Sequence, residues 1–336
     1  MNSTVDERLT ADRAADAAER IRRLRDEVHR VIVGQEPLLD TLIRAMLTQG
    51  HSLLIGVPGL AKTRSVRVLA HALDVSFSRI QFTPDLLPSD ITGSEILVGN
   101  PDSGDRGFRF EAGPLFANLV LADEINRTPP RTQSALLEAM QERAVTVGKA
   151  THPLPSPFLV IATENPVEQE GTFPLPEAQL DRFAFSLMLD YPSADEEQEI
   201  LRRTTGLHEA EARPVLDGNA VIELQRACSL VAADDAVTEL AVRLIRATRP
   251  NDPEAPEIVR EYVAWGAGPR ASQMLVRGAK AEAVQRGETS AALADLPRLL
   301  EPVIAHRIVL NFRANRDDVS ARDITIEILR SLSIAV

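Results

Sequence analysis

The chain has 336 residues, 44% hydrophobic and 26% charged, with 37 Lys and Arg against 49 Asp and Glu for a formal net charge of −12. That composition fits a soluble globular protein of about two domains, and no apolar run approaches the roughly 20 residues a membrane-spanning helix needs. One cysteine, Cys228, excludes an internal disulfide and a cysteine-built zinc site, while the acidic balance and 4% aromatic content argue against a protein that coats nucleic acid.

The first 30 residues are charged and helix-prone, with a thin apolar stripe at Ile21, Leu24 and Val28, and show no secretory signal, so the cytoplasm is the expected location. Val31-Ile32-Val33-Gly34-Gln35-Glu36-Pro37 leads into a second helix with Leu39, Leu42, Ile43 and Met46 inward. Leu53-Leu54-Ile55 then reads as a buried strand. A loop follows through Gly56, Val57, Pro58, Gly59, Leu60 and Ala61 to Lys62 and Thr63. A helix follows at once, with Val66, Leu69, Ala70 and Leu73 on one face. Strand, glycine-bearing loop, Lys-Thr and helix is the layout of a phosphate-binding loop. Glycine permits the dihedrals that aim successive N–H groups at phosphate oxygens, and the helix N-terminus adds unsatisfied N–H groups and partial positive charge. Lys62 can reach the terminal phosphates and Thr63 can ligate Mg²⁺. Ala61 departs from the general pattern, which has glycine before the lysine.

Residues 79–82 read as a strand. Two β-hairpins are expected, near 94–111 around the Asn100–Gly104 turn signal and at 144–154 around Gly148-Lys149. Further buried strands cover 119–122, 158–163 and 185–189, with helices from Pro130 and before Leu180. Apolar strands alternating with helices argue an α/β fold with a parallel sheet covered on both faces. Right-handed crossovers set the strand C-termini along one edge, where ligands bind. A capping box at Ser193-Ala194-Asp195-Glu196 marks a boundary at 192/193. Beyond it only helices are expected, among them 269–284, 297–309 and 321–332, which makes 193–336 a small all-α domain.

Asp123 and Glu124 end the 119–122 strand. Hydrolysis of a nucleoside triphosphate needs a metal shared between protein and phosphates and a group that activates water; Asp123 suits the first task and Glu124 the second. Asn165, after the third strand, can hold the attacking water, although Asn before Pro166 also suits a simple turn. Arg182, between a helix and a strand, and Arg270, at a helix start, suit phosphate contact through the arginine fork. With the loop they suggest a cationic clamp on the γ-phosphate.

This set, in this order, resembles the AAA+ ATPases, and the local wording of Val31–Gln35, Gly56–Thr63, Gln81–Asp90, Leu121–Arg127 and Ala162–Pro166 is similar to the MoxR family. The resemblance runs over nearly the whole chain from about residue 20. It implies a P-loop NTPase domain followed by a helical lid, with ATP and Mg²⁺ bound. Gly56–Thr63 would be the Walker A loop, in which the family accepts Ala61. Asp123 and Glu124 would be the Walker B metal residue and base, and Asn165 the first sensor. Arg182 matches the finger that acts on a neighbouring subunit's nucleotide, Arg270 the second sensor of the lid, and Val33 and Gly34 the segment beside adenine. Arg127 and Arg131 also suit a position facing a neighbour. The hairpins match the helix-2 and pre-sensor-1 inserts. The family implies a ring, commonly a hexamer, and a partner bearing a von Willebrand factor A domain. Its expected work is chaperone-like maturation of other proteins, including cofactor or metal insertion. Alternatives are the ATPase subunit of a magnesium- or cobalt-chelatase-type complex, a nucleotide-dependent binding module with little turnover, and a nucleic-acid motor, against which the −12 charge speaks.

Overall fold

The computed structural model describes residues 8–57, 59–99, 106–167, 171–205 and 210–334, so Pro58 and the expected turn at 100–104 lie outside the described residues. The chain runs α1 (Ala11–Val31), α2 (Glu36–Thr48), β1 (Ser52–Ile55), α3 (Lys62–Ala72), β2 (Phe77–Gln81), α4 (Pro88–Thr92), β3 (Gly93–Gly99), β4 (Arg106–Ala112), β5 (Leu119–Asp123), α5 (Pro130–Glu142), β6 (Ala144–Val147), β7 (Ala150–Pro153), β8 (Leu159–Glu164), α6 (Glu177–Leu180) and β9 (Phe185–Met188). Then come α7 (Ala194–Thr204), α8 (Gly218–Leu230), α9 (Asp235–Arg246), α10 (Glu257–Tyr262), β10 (Val263–Trp265), α11 (Pro269–Arg286), α12 (Leu296–Ile304), β11 (Val309–Leu310), α13 (Phe312–Arg316) and α14 (Ala321–Ser331).

Five strands form one parallel sheet in the order β2-β5-β8-β1-β9. Its inner strands β5, β8 and β1 are largely apolar on both sides because both faces are covered. Alternation divides the strand residues between two cores. Leu54, Leu121 and Ile161 face α1, α2 and α3 and the helices of the C-terminal region. Leu53, Val120, Ala122 and Val160 face Leu136, Leu137 and Met140 of α5 and Ile91 of α4. The two expected hairpins are β3–β4 and β6–β7, each an antiparallel pair outside the main sheet. Gly93 starts the first at φ +88, and a Cβ there would lie 2.2 Å from the Glu111 carbonyl, so only glycine fits. At Ser193 the expected capping box forms, with Ser193 accepting from the Glu196 N–H and Glu196 returning a bond to Ser193 N.

Two expectations for the C-terminal region are corrected. The helix expected over 297–309 stops at Ile304, and the region holds a two-stranded antiparallel ribbon, β10–β11, where only helices were expected. The side chains of His306 and Arg307 turn away from a helical path toward the entrance of β9. His306 meets Ser186 Oγ at 2.9 Å and the Phe183 carbonyl at 3.0 Å, and burial holds its imidazole well below the usual range, hence neutral. Arg307 is buried and donates to the carbonyls of Ala184 (3.1 Å), Phe183 and Val303 and to Asp181 Oδ1 (2.8 Å). These bonds bolt the end of α12 onto the sheet.

Arg307→Ala should therefore lower the unfolding free energy by about 3 kcal/mol or more, since it strands buried carbonyls and the Asp181 carboxylate. Arg307→Lys should recover only part of that, because an ammonium cannot fork across the same set. Urea melts at neutral pH check both, and an Ala variant within 1 kcal/mol of wild type, on the scale of about 3 expected, would remove this bolt from the account.

Candidate functional site

The C-terminal ends of β1, β5 and β8 meet at one edge of the sheet, and the polar residues singled out in the sequence gather there. Gly56 follows β1; its N–H donates to the Glu164 carbonyl at 3.1 Å and its carbonyl accepts from Lys62 Nζ at 2.6 Å. Lys62 is buried, and burial lowers its pKa while Asp123 and Glu124 oppose the shift. Ala61 sits in the left-handed region at φ +56, the conformation that glycine adopts freely, and α3 starts at the next residue with Lys62 and Thr63 in its first turn. Gly34, between α1 and α2, lies at φ +61 against Glu196 of α7.

Asp123 and Glu124 are held by Thr163, Arg79 and Gln81, to none of which the sequence reading gave a role, and by Arg127, which it had placed facing a neighbour. The Thr163 hydroxyl donates to Asp123 Oδ1 at 2.7 Å and accepts the Glu124 N–H at 2.8 Å, so one side chain ties the tips of β5 and β8. Arg79 donates to Asp123 Oδ2 at 3.0 and 2.6 Å, and Gln81 Nε2 to Glu124 Oε2 at 2.7 Å. Arg127 meets the same Glu124 oxygen at 3.2 Å. Glu124 is itself left-handed at φ +57, an uncommon state for a non-glycine residue. The signal was present: Arg79 and Gln81 share one face of a strand by alternation, and Thr163 is the last inward residue of an apolar strand. Asn165 is buried and accepts the Val167 N–H at 3.1 Å, so it builds the turn as well as lying at the site. Beside it the Glu164 carboxyl is pushed up to about 7 by burial.

The two arginines lie elsewhere. β1 and β9 are parallel, Lys62 follows the end of β1, and Arg182 precedes the start of β9. Arg182 therefore stands at the opposite edge of the sheet from its own loop. Arg270 joins it there, pairing with Asp181 at 3.3 Å, and both line a cavity of about 200 Å³. The expected clamp of these two arginines with the loop does not form within one chain. Among the described residues the Arg182 guanidinium makes no hydrogen bond or ion pair.

Three of the sequence-singled residue types thus occupy one edge: a lysine-bearing loop at a helix N-terminus, an Asp-Glu pair and a buried Asn. That constellation can bind phosphates and activate water. Among the described residues no group of three or more His, Cys, Asp or Glu is arranged to hold a metal by itself. The model for the ATPase family associated with various cellular activities matches residues 51–185, and an AAA lid domain model matches 255–328. The chain is 42% identical to Chaperone MoxR1 of Mycobacterium tuberculosis, over 92% of this chain and 80% of that protein. It is 30% identical to Protein MoxR of Paracoccus denitrificans, over 84% and 86%. A crystal structure of a candidate ATPase from Cytophaga hutchinsonii superposes with a TM-score of 0.89 at 40% identity, covering 97% of this chain and 98% of that one.

The Glu164 shift has a signed consequence. Its carboxyl moves from 4.5 to about 7 on folding, so the fold favours the protonated form. Its contribution to stability is full below pH 4.5 and is lost as pH rises through about 7. Glu164→Gln should stabilise the chain by about 2 kcal/mol at pH 8 and by almost nothing at pH 4.5, read as the difference between variant and wild-type denaturant melts. A pH-independent difference would show that Glu164 is solvated.

Proposed function

The chain belongs to the MoxR family of AAA+ ATPases, and we propose that it is a Mg²⁺-dependent ATP hydrolase that works as a ring, with each active site completed by the next subunit. The observation that carries this reading is the split of the charged residues between the two edges of the sheet. The loop of Gly56, Val57, Pro58, Gly59, Leu60, Ala61, Lys62 and Thr63 holds the triphosphate through backbone N–H groups and the Lys62 ammonium. Val33 and Gly34 flank the adenine. Thr63 and Asp123 are the oxygen donors for Mg²⁺, a cation that takes one or two protein oxygens alongside phosphates, so a larger acidic cluster is not required. The cation supplies charge neutralisation across the phosphates.

Glu124 takes the proton of the attacking water and Asn165 holds that water in place. Arg182 and Arg270 stabilise the charge developing on the transferred phosphoryl group of the neighbour's nucleotide. The boundary at 192/193 separates the nucleotide-binding domain from the lid that carries Arg270. In the cell we place the protein in the cytoplasm as a chaperone-like remodeller. It couples ring motion to the maturation of partner proteins or the insertion of their cofactors or metals, with a von Willebrand factor A domain protein as its partner. The chaperone name of the M. tuberculosis relative supports that role.

The test is ATPase activity per subunit against protein concentration, with light scattering at each point. Activity should rise with assembly and vanish in Glu124→Gln. Lys62→Ala should lose tight nucleotide binding. Arg182→Ala should keep binding and lose about three orders of magnitude of turnover. Wild-type turnover in Arg182→Ala, or full activity in a monomer, would overturn the shared site.

A further inference from the structure

The cavity that holds Arg182 and Arg270 adjoins a larger one. A cleft of about 640 Å³ lies between the end of α2 and helices α8, α9 and α11, and it shares Gln49, Arg143, Gln273 and Arg277 with the smaller cavity. Part of its wall is apolar, from Leu47, Ala241, Val242 and Val276. Its charged lining is Arg143, Arg277 and Lys280, with no carboxylate, in a chain of net charge −12. Among the described residues these cations find no acid. Arg143 donates to the Gln49 side chain at 2.9 Å and its carbonyl at 3.2 Å, and Lys280 to the Ser229 carbonyl at 3.2 Å. Arg277 has no hydrogen bond or ion pair there. Three cations around an apolar cleft carry an uncompensated field that fits an acidic, partly apolar occupant.

The opposite edge of the sheet carries the complement. The segment leaving β9 passes the nucleotide loop, where a Cβ on Gly56 would lie 3.0 Å from Leu189 Cβ. Around Leu189 it exposes Met188 (58%), at the end of β9, and Tyr191 (75%), with Asp190, Asp195 and Glu197 also exposed. Among the described residues none of these three carboxylates has an ion pair with Arg or Lys. The 188–197 segment thus presents three carboxylates without a basic partner, and the cleft three cations without an acidic one. Such patches cannot satisfy each other within one chain. They can do so between copies related by a rotation, the head-to-tail contact that closes into a ring.

We propose that the cationic cleft between α2, α8, α9 and α11 of one copy seats the acidic β9–α7 segment, residues 188–197, of the next copy. Tyr191 and Met188 enter the apolar wall, and Asp190, Asp195 and Glu197 meet Arg143, Arg277 and Lys280. The proposal rests on the ring reading above. It adds a reason for the register: the cleft adjoins Arg182 and Arg270, so seating the segment beside the neighbour's nucleotide loop brings those arginines to that nucleotide.

Charge exchange tests it, in the full chain carrying Glu124→Gln with ATP present, by size-exclusion chromatography with light scattering. Arg277→Glu with Lys280→Glu should raise the concentration needed for assembly by about tenfold or more, and so should Asp195→Arg with Glu197→Arg. All four together should restore assembly. Mixing the two double variants is the sharper test: each alone repels itself, but each cleft is complementary to the other variant's segment, so the mixture should recover assembly with the two variants alternating. Circular dichroism melts and fluorescent-nucleotide binding should match the parent throughout, which excludes misfolding as the cause. Assembly untouched by either reversal, or not restored by the exchange, overturns this interface while leaving the ring intact. A parent chain that stays monomeric at every concentration overturns the ring reading itself.

Discussion

The rest of the structure depends on a buried guanidinium. Arg307, at the end of α12, is wrapped by the carbonyls of Phe183, Ala184 and Val303 and by the Asp181 carboxylate. Burying a charge is costly unless it is paired and hydrogen-bonded, and this one is satisfied on several sides. The arrangement fixes where the C-terminal region sits on the sheet. Asp181 also receives Arg270 from α11 and stands next to Arg182. The contact that holds the lid to the sheet therefore also gathers the arginines that the proposed reaction needs. His306 adds a neutral bridge to Ser186 and Phe183 at the same junction.

The nucleotide edge is organised by a second economy of parts. A parallel sheet delivers every strand C-terminus to one side, so Gly56, Asp123 and Glu164 arrive together without further design. Thr163 then fixes both neighbours, donating to Asp123 and accepting from the Glu124 backbone. Ala61 and Glu124 are both left-handed, which places uncommon backbone conformations on either side of the candidate site. Arg79 and Gln81 hold the two carboxylates from the neighbouring strand, so β2 belongs to the candidate site as well as to the core.

Much of this was legible in the chain. The strands β1, β5, β8 and β9 are apolar runs with turn signals after them, and local composition decides such elements when both faces are buried. Hairpins β3–β4 and β6–β7 were legible from turn residues between strand-like segments. The strand–loop–helix layout around Lys62 was legible despite Ala61, because an apolar strand, a turn and a helical period follow one another directly in the chain. The ribbon β10–β11 was not, because three residues and two residues carry no measurable period. Nor was the early end of α12, since Pro297 and the apolar positions after it continue a helical pattern that only the demands of His306 and Arg307 interrupt.

By itself the sequence determined the kind of fold and offered a candidate phosphate-binding loop with Lys62, Thr63, Asp123, Glu124 and Asn165, because each depends on neighbours within a few positions along the chain. It also offered Arg182 and Arg270, from their own residues as a clamp with that loop and from the family resemblance as a neighbour's finger and the lid's second sensor. Tertiary structure alone decided that these two stand together at the far edge of the sheet, that Thr163 joins Asp123 to Glu124, and that unpaired cations gather in one cleft and unpaired carboxylates across from it. These are contacts between residues tens to hundreds of positions apart. Their partners are chosen by how helices and strands pack, and no local pattern of side chains encodes that choice.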